Sequence, residues 1–486
     1  MNVETTHPAY MESLPLWSLT EDVINGQMAV KNKGEVYLPK PSGMDDQAYK
    51  SYLARAVFTM FTARACEQLY GQIFSKLPEK QGEIPPAFQD FLANVDKSGT
   101  SVDQFASDIV WATLQKPWGG ILADHSPVPP GLSQAEKEKL GLTSFLRWYS
   151  AESLDNWRYD TINDRSILVM VKLKEVYQQI VDDEFNPKTK TRYRVLKLVD
   201  GQTLENPREG MVYIQQVWEK ATDKEEWIIT GTFIPELDGK PLDFIPFFTC
   251  PAKEPEKSML LPSAYLNIGH YQMTADYNWN LHLTGTPTPV GVNIEAKINE
   301  KTGKPEPVGL GGSQMQLLNN FGDREPKVFF LEPAGTGANN ILHGLEGYEK
   351  NLEIMGGSPI KKSKAGVETA EAARIHQAGE NSVLGSFSLN MSEVLTQVIR
   401  CAARWRGIPE AVTKLFNYLL NQDYENDQNN IEARKMGISL VDAGLMSKDR
   451  FLTEIEAMDE NEAKEEIALI NGEGTLQPSN TETIIE

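Results

Sequence analysis

The sequence predicts an α+β protein whose helices and strands are segregated along the chain. Three observations carry this. Residues 45–74, 264–283, 338–355 and 383–402 place apolar side chains at the three-to-four-residue spacing of helices. Between about 146 and 250, short runs rich in β-branched and aromatic residues are separated by turn signals. The 486 residues exceed what one core usually holds, about 250–300, so more than one domain is expected.

Residues 1–40 read as irregular, being punctuated by Pro8, Pro15, Pro39 and Pro41. From Asp45 to Phe74 one helix is expected, with Tyr49, Tyr52, Val57, Phe61, Ala65, Leu69 and Ile73 along its apolar stripe and Gly71 and Pro78 near its end. A second helix spans Ser101 to Leu114, before the Pro-Trp-Gly-Gly stretch at 117–120, and a short polar helix is expected within 126–142. Strands follow at 167–174, 193–199, 212–218, 227–233 and 244–249. Asn186-Pro187, Asp200-Gly201 and Asp238-Gly239 mark turns between them, and an antiparallel meander is the natural arrangement. Pro262 opens a helix from Ala264 to Leu283, which Gly285 and Pro287 end. Short strands at 290–294, 314–318 and 327–331 precede a helix from about Ala338 to Met355. A Gly-Gly-Ser-Pro loop from Gly356 then leads into a long helical pattern ending near Trp405. Beyond Pro409 the chain reads as helical and acidic: residues 423–486 hold 16 acidic and 5 basic side chains, a bias that suits a solvated, polyanion-repelling surface.

The formal net charge of −21 points away from ordinary nucleic-acid binding, which needs a basic footprint. Cys66, Cys250 and Cys401 lie far apart and odd in number, so a reducing compartment is expected rather than a disulfide framework. No amino-terminal signal peptide and no apolar run of membrane-spanning length, about 20 residues, is visible.

Catalytic motifs are weak. Gly309, Gly311 and Gly312 lack the Lys-Ser/Thr that completes a phosphate loop. The six histidines form no HExxH, and His270 and His282 fall on different helix faces. Pro235-Glu-Leu-Asp238-Gly-Lys240 reads as a hairpin turn before it reads as a nuclease cluster. No catalytic or metal-ligating residues and no cofactor are expected. The candidate functional residues are Lys361, Lys362 and Lys364, three cations in a glycine-flanked loop that could touch a polyanion or simply be solvated. Gly379 lies inside the long helical pattern with Gly385 nearby; each glycine costs about 1 kcal/mol against alanine there, and either a kink or close helix packing would account for it.

The order of elements resembles the tailed-bacteriophage portal protein, the head-to-tail connector: a β module, a helix, a small β insert, a return helix, a basic loop, a long interrupted helix and an acidic helical tail. Tyr37-Leu-Pro39, Tyr52-Leu-Ala-Arg-Ala56, Leu283-Thr-Gly-Thr-Pro287, Glu368-Thr-Ala-Glu-Ala-Ala-Arg374 and Glu380-Asn-Ser382 resemble strings of an otherwise uncharacterised portal-like family. The resemblance implies a mainly helical part of the wing at 1–145 and a β-rich wing at 146–262. Stem helices at 263–357 would flank a clip at about 284–335. A tunnel loop and tunnel helix would occupy 358–407, and an acidic crown and tail 408–486. It implies a virion protein assembled in the host cytoplasm as a ring, by family habit a dodecamer, at one capsid vertex. Double-stranded DNA would pass through it without being read. A terminase large subunit, then adaptor or tail proteins, would dock on it beside the major capsid and scaffolding proteins, with no membrane partner and no enzymatic activity. In that reading Lys361, Lys362 and Lys364 touch DNA and Gly379 kinks the tunnel helix. Another head–tail connector or adaptor subunit is the alternative, and an enzyme with an acidic metal site is a third class.

Overall fold

A computed structural model of the chain describes residues 2–126, 136, 143–180, 185–204, 206–220, 226–237, 239–284, 288–293, 298, 325, 327–331, 336–355, 370–424, 435–441, 443–454 and 467. The chain divides into two compact units. The first joins Met1–Gly366 to Leu389–Leu420, and the second joins Val367–Ser388 to Asn421–Glu486. The division thus runs through the long helix near its middle, whereas the sequence reading placed boundaries at 357/358 and 407/408.

The first unit opens with helices where an irregular segment was expected. Helix α1 is Pro8–Asn25 and α2 is Gln27–Asn32. Pro8 lies in the first turn, where its missing N–H is not needed, and the ring nitrogen Nδ1 of His7 accepts from the Ala9 amide at 3.3 Å. Pro15 sits inside the helix at a cost of about 3 kcal/mol. Burial of Trp17, Leu19, Val23 and Ile24 on the core face offsets it, at about 1.5–3 kcal/mol for each large side chain. The prolines were therefore misleading as breakers.

The single helix expected over 45–74 is two: α3 (Asp46–Arg55), capped by Asp45, and α4 (Phe61–Ile73). Residues 56–60 are non-helical because tertiary partners satisfy their backbone. Gln27 accepts from the Phe58 amide at 3.2 Å, and Asn267 donates to the Thr59 carbonyl at 2.8 Å. The short strand β1 (Glu79–Gln81), α5 (Pro86–Ala93) and α6 (Val102–Gln115) follow. Ser101 caps α6 by accepting from the Gln104 amide.

The expected antiparallel meander forms: β4 (Leu154–Ile162), β5 (Arg165–Gln179), β6 (Lys188–Asp200), β7 (Met211–Glu219) and β8 (Ile228–Phe233) pair in chain order. Asn163 and Asp164 both take positive φ in the two-residue turn between β4 and β5, as a turn matching the strands' twist requires. Pro117-Trp118-Gly119-Gly120, read as a connection, instead leads into β2 (Gly119–His125). That strand is the centre of a second antiparallel sheet between β3 (Ser144–Ser150) and the later β11 (Phe247–Thr249). A Cβ on Gly119 would lie 2.3 Å from the Trp148 ring, and one on Gly120 2.2 Å from the Phe247 ring, so these glycines let aromatic rings cross the strand. The two sheets meet at Glu175. Its carboxylate accepts from Arg192 at 2.6 Å, Arg194 at 2.8 Å and the Tyr149 hydroxyl at 2.7 Å, with Arg147 at 3.4 Å. Arg194 continues to Gln215, and Gln215 to Asp124 on β2.

The small hairpin β9 (Glu236–Leu237) and β10 (Lys240–Pro241) covers the position expected as a turn at 235–240, with residue 238 outside the described residues. Helix α7 (Leu261–Thr284), the hairpin β12 (Thr288–Val292) with β13 (Lys327–Leu331), and α8 (Thr336–Ile354) follow. The expected strand at 314–318, most of 284–335 and the expected helix within 126–142 lie outside the described residues, apart from Glu136 in the last. The long helix α9 is Ala370–Arg404. After it comes α10 (Glu410–Leu415), and then a strand rather than further helix. This is β14 (Asn417–Leu419), antiparallel to β1. On its other side β14 is held by side chains of α9 at every fourth residue. Ser392 accepts from the Leu420 amide at 2.9 Å, Thr396 from the Tyr418 amide at 2.9 Å, and Arg400 donates to the Phe416 carbonyl at 2.8 Å. Helix α11 (Lys448–Glu454) belongs to the second unit.

Burial alone would raise the Glu175 carboxyl, but Arg194 and its other partners hold it down at about 2, below the usual 4.5. A carboxyl lowered on folding stabilises above its unfolded pKa, and that contribution fades as pH falls from about 4.5 toward about 2. Glu175→Gln is expected to lose on the order of 3 kcal/mol at neutral pH and to flatten the acid limb of stability between pH about 5 and 2. Chemical denaturation as a function of pH checks both.

Candidate functional site

Lys361, Lys362 and Lys364 lie outside the described residues. Gly379 falls within α9, and the helix runs through positions 379 and 385 without interruption. At Gly385 a Cβ would meet nothing within 4 Å among the described residues, so none of them asks for glycine there.

Helices α7 and α8 precede the loop in the chain, and α9 follows it. Helix α7 is anchored along its length by the N-terminal segment. Near its start, Thr62 donates from its amide to Asn267 Oδ1 at 3.1 Å and its hydroxyl meets Ser263 at 3.1 Å. Further along, Gln272 donates to the Tyr37 carbonyl at 2.8 Å and the Tyr52 hydroxyl to Asp276 at 2.6 Å. Toward its end Arg55 meets the His282 ring at 3.2 Å. Burial and the Asp276 carboxylate both raise the Tyr52 phenol, which stays a donor. Ala264, Tyr271 and Ala275 fill the core made by Leu19, Val23, Tyr49 and Phe58.

Helix α8 lies antiparallel on the opposite face of α7. Here two glycines each receive a large side chain from the other helix. A Cβ on Gly269 would stand 2.7 Å from the Tyr348 ring, and one on Gly344 2.6 Å from Met273 Sδ. Between them His270 Nε2 sits 3.5 Å from the Glu349 carboxylate and packs edge-on to Phe61. Burial presses the imidazole toward its neutral form, against the pull of Glu349. The β12–β13 ladder continues the same antiparallel course beyond the helix ends. Leu281, Leu283, Val292, Phe329 and Leu342 are exposed along this helix–hairpin–helix unit.

Among the described residues no group of three His, Cys, Asp or Glu could hold a metal ion. Burial pushes the Cys66 and Cys401 thiols up to about 12 and Cys250 higher still, which keeps them protonated and unreactive. No helix among the described residues is long and apolar enough to cross a membrane. Sequence reading missed the two glycine sockets. Their signal was present as Gly269 and Gly344 inside helical patterns, but the partners Tyr348 and Met273 are assigned only by the packed helices.

The family described as "Domain of unknown function (DUF4055)" matches residues 260–406, a span that runs from the start of α7 to just past the end of α9. No curated protein matches the chain. Among solved structures, a chain of "Virion of native gene transfer agent (GTA) particle" is 12% identical with a TM-score of 0.37, over 88% of this chain and 99% of that one. A chain of "Neck of empty GTA particle computed with C6 symmetry" is 11% identical with a TM-score of 0.35, over 89% and 99%. A chain of "Neck of native GTA particle computed with C12 symmetry" is 10% identical with a TM-score of 0.35, over 88% and 99%.

Two glycine substitutions should separate in sign. Gly385→Ala is expected to stabilise the isolated chain by about 1 kcal/mol, because only helix propensity changes. Gly269→Val is expected to destabilise by about 1–3 kcal/mol, because the Tyr348 ring must leave its socket. Denaturant midpoints of the two variants against the parent check this.

Proposed function

We propose that the chain is a portal subunit of a tailed phage or phage-like particle, without enzymatic activity. Copies of it would form a ring, a dodecamer by family habit, around a DNA channel at the capsid vertex. The observation that supports this best is the helix–hairpin–helix unit, α7 to α8, followed directly by the loop of Lys361, Lys362 and Lys364 and the 35-residue α9. Such a unit suits a channel wall. Its two long helices are locked against each other and to the N-terminal helices, which favours rigid-body load-bearing over opening. The hairpin end carries exposed apolar side chains suited to protein contacts, where a terminase large subunit would dock during packaging and adaptor or tail proteins afterwards.

The charge pattern fits the same task. A channel must let duplex DNA slide, so base-reading groups are not needed. A chain of net charge −21 repels phosphates along most of its surface. Three lysines per copy, repeated around a ring, would give weak, salt-sensitive phosphate contacts on a single circle. A ring of identical copies closes by head-to-tail interfaces, so the two faces each copy offers its neighbours differ. Residues 408–486, with their acidic excess, would face packaged DNA as crown and tail, and Gly379 would let α9 bend on the channel side. The ring would assemble in the host cytoplasm with scaffolding and major capsid proteins and reside in the virion.

Electron microscopy and mass photometry of the purified chain test the reading. Closed rings with an axial channel are expected, and a uniform monomer under particle-assembly conditions would overturn it. A second measurement addresses the loop. Replacing Lys361, Lys362 and Lys364 together by alanine should leave ring formation intact and alter genome packaging or retention. Normal DNA content and infectivity of particles carrying the triple variant would remove the DNA-contact role.

A further inference from the structure

The densest run of positive charge in this acidic chain lies on β6. Residues 185–199 hold Lys188, Lys190, Arg192, Arg194 and Lys197 and no Asp or Glu. Side chains alternate along a strand, so Lys190, Arg192 and Arg194 share one face of the five-stranded sheet at intervals of about 7 Å. On that face Tyr177 of β5 stands opposite Lys190, and Glu175 opposite Arg192. The second sheet reaches the same face at Glu175, through Arg147 and Tyr149 of β3. Burial falls off along the row from there: Arg194 is 14% exposed and Arg192 30%, and Arg147 on the facing strand is 49% exposed.

The result is a ledge whose own carboxylates do not balance its cations. Glu175 alone is shared by Arg147, Arg192 and Arg194, and Asp124 reaches Arg194 only through Gln215. Arg192 commits its Nε to Glu175 and Arg147 one Nη, and among the described residues their other nitrogens, and Lys190 Nζ, have no partner. Both guanidinium groups lie over rings, Arg192 at 5.2 Å from Tyr177 and Arg147 at 5.8 Å from Tyr149. The neighbouring strands make the same face apolar. Val217 stands opposite Arg194, Gly231 opposite Val217, and Phe233 opposite Gln215. Phe233 is 49% exposed, and a Cβ on Gly231 would stand 3.0 Å from its ring, so the ring lies along the sheet. Arginine beside exposed aromatic rings is the composition of a protein–protein contact. A nucleic acid would ask for a wider basic footprint.

We infer that this ledge receives carboxylate side chains of a second copy of the chain, and so forms one side of the contact between neighbours in the ring. The inference rests on the ring reading given above. Two arguments select the occupant. Copies that each carry a net charge of −21 repel one another unless opposite charges meet where they touch, and residues 185–199 are where this chain concentrates its positive charge. A head-to-tail ring also joins two different surfaces, so the ledge needs acidic groups on the neighbour and not a matching ledge. Glu175 already shows the chemistry, one carboxylate held by guanidinium groups at 2.6 and 2.8 Å. A carboxylate arriving at the remaining nitrogens of Arg147 and Arg192 would make charge-assisted pairs of the same kind, with Lys190 on the same face. Val217 and Phe233 would add apolar burial beside them.

Mass photometry of the full-length chain over a concentration series tests this. In the double variant Arg147→Glu, Lys190→Glu the concentration at half assembly should rise about tenfold or more, as loss of charge pairs at an interface implies. Arg147→Lys with Lys190→Arg should assemble like the parent. Glu175 keeps Arg192, Arg194 and Tyr149 in both variants, and Lys190→Glu alone, which touches none of these contacts, should shift assembly in the same direction. Carbodiimide cross-linking of parent rings made from isotopically labelled and unlabelled chains should join Lys190 to a carboxylate of the other copy. Rings that form at the parent's concentration in the charge-reversed variants, or parent rings without an inter-chain Lys190 product, would overturn the inference and leave the ring reading standing. A parent that forms no rings would overturn both. A short DNA duplex bound by the parent and lost by Lys190→Glu would assign the ledge to phosphates and overturn the protein contact.

Discussion

One carboxamide governs the first unit. Asn267, fully buried on α7, accepts from the Thr62 amide and donates to the Thr59 carbonyl. A buried amide left unpaired costs about 1–3 kcal/mol, so this side chain and the break in the helical pattern at residues 56–60 require each other. The break turns α4 away from α3, letting the two helices grip α7 at separate heights. Tyr52 and Arg55 hold the far end through Asp276 and His282, while Thr62 holds the near end. With one side of α7 engaged in this way, α8 can pack only on the other. The crossed sockets of Gly269 and Gly344 then set how closely it approaches.

The acidity of the chain also has a structural side. Several of its cations are committed inward. Arg192 and Arg194 surround Glu175, Lys172 is buried against Asp155, and Lys116 bridges Glu21 and Glu152. Lys116 is held in its charged form by those two carboxylates against the opposing effect of burial. These four cations meet four carboxylates, Glu175, Asp155, Glu21 and Glu152, so the pairing leaves the whole net charge of −21 to the rest of the chain. It also makes the sheet junction dependent on the ionised state of a few carboxylates, because each buried cation needs its partner.

Helix α9 is shared by the two units, and its polar residues are distributed accordingly. The row Ser392, Thr396 and Arg400 takes the backbone of residues 416–420 in the first unit, in place of a second strand. Ser388, one step earlier on the same row, meets the Tyr424 hydroxyl in the second. An i, i+4 repeat of hydrogen-bonding side chains thus serves as a track for an extended strand, whose other edge is closed by β1. Gly385 lies just before this track begins, and among the described residues nothing stands within 4 Å of a Cβ placed there.

Much of the fold was legible in the sequence because local rules agreed with the final packing. The meander strands, α6 with its Ser101 cap, α7, α8 and the β12–β13 pair follow from apolar periodicity, turn residues and caps, all of which act within a few residues. The candidate site, the glycine-flanked loop of Lys361, Lys362 and Lys364 before a long helix, was visible as residue types only and lies outside the described residues. What local pattern could not decide was every feature satisfied from a distance. α1 overrides Pro15 because its buried face gains more than the proline costs. Residues 56–60 leave the helix because Asn267 and Gln27 receive their backbone groups. Gly119 and Gly120 belong to a strand because rings from β3 and β11 cross them, and β14 is a strand because α9 and β1 hold it. The sequence by itself determined which segments could bury a face and which charges were surplus. Only the tertiary structure decided which polar groups meet, since a hydrogen bond between residues some two hundred positions apart leaves no periodic trace in the chain.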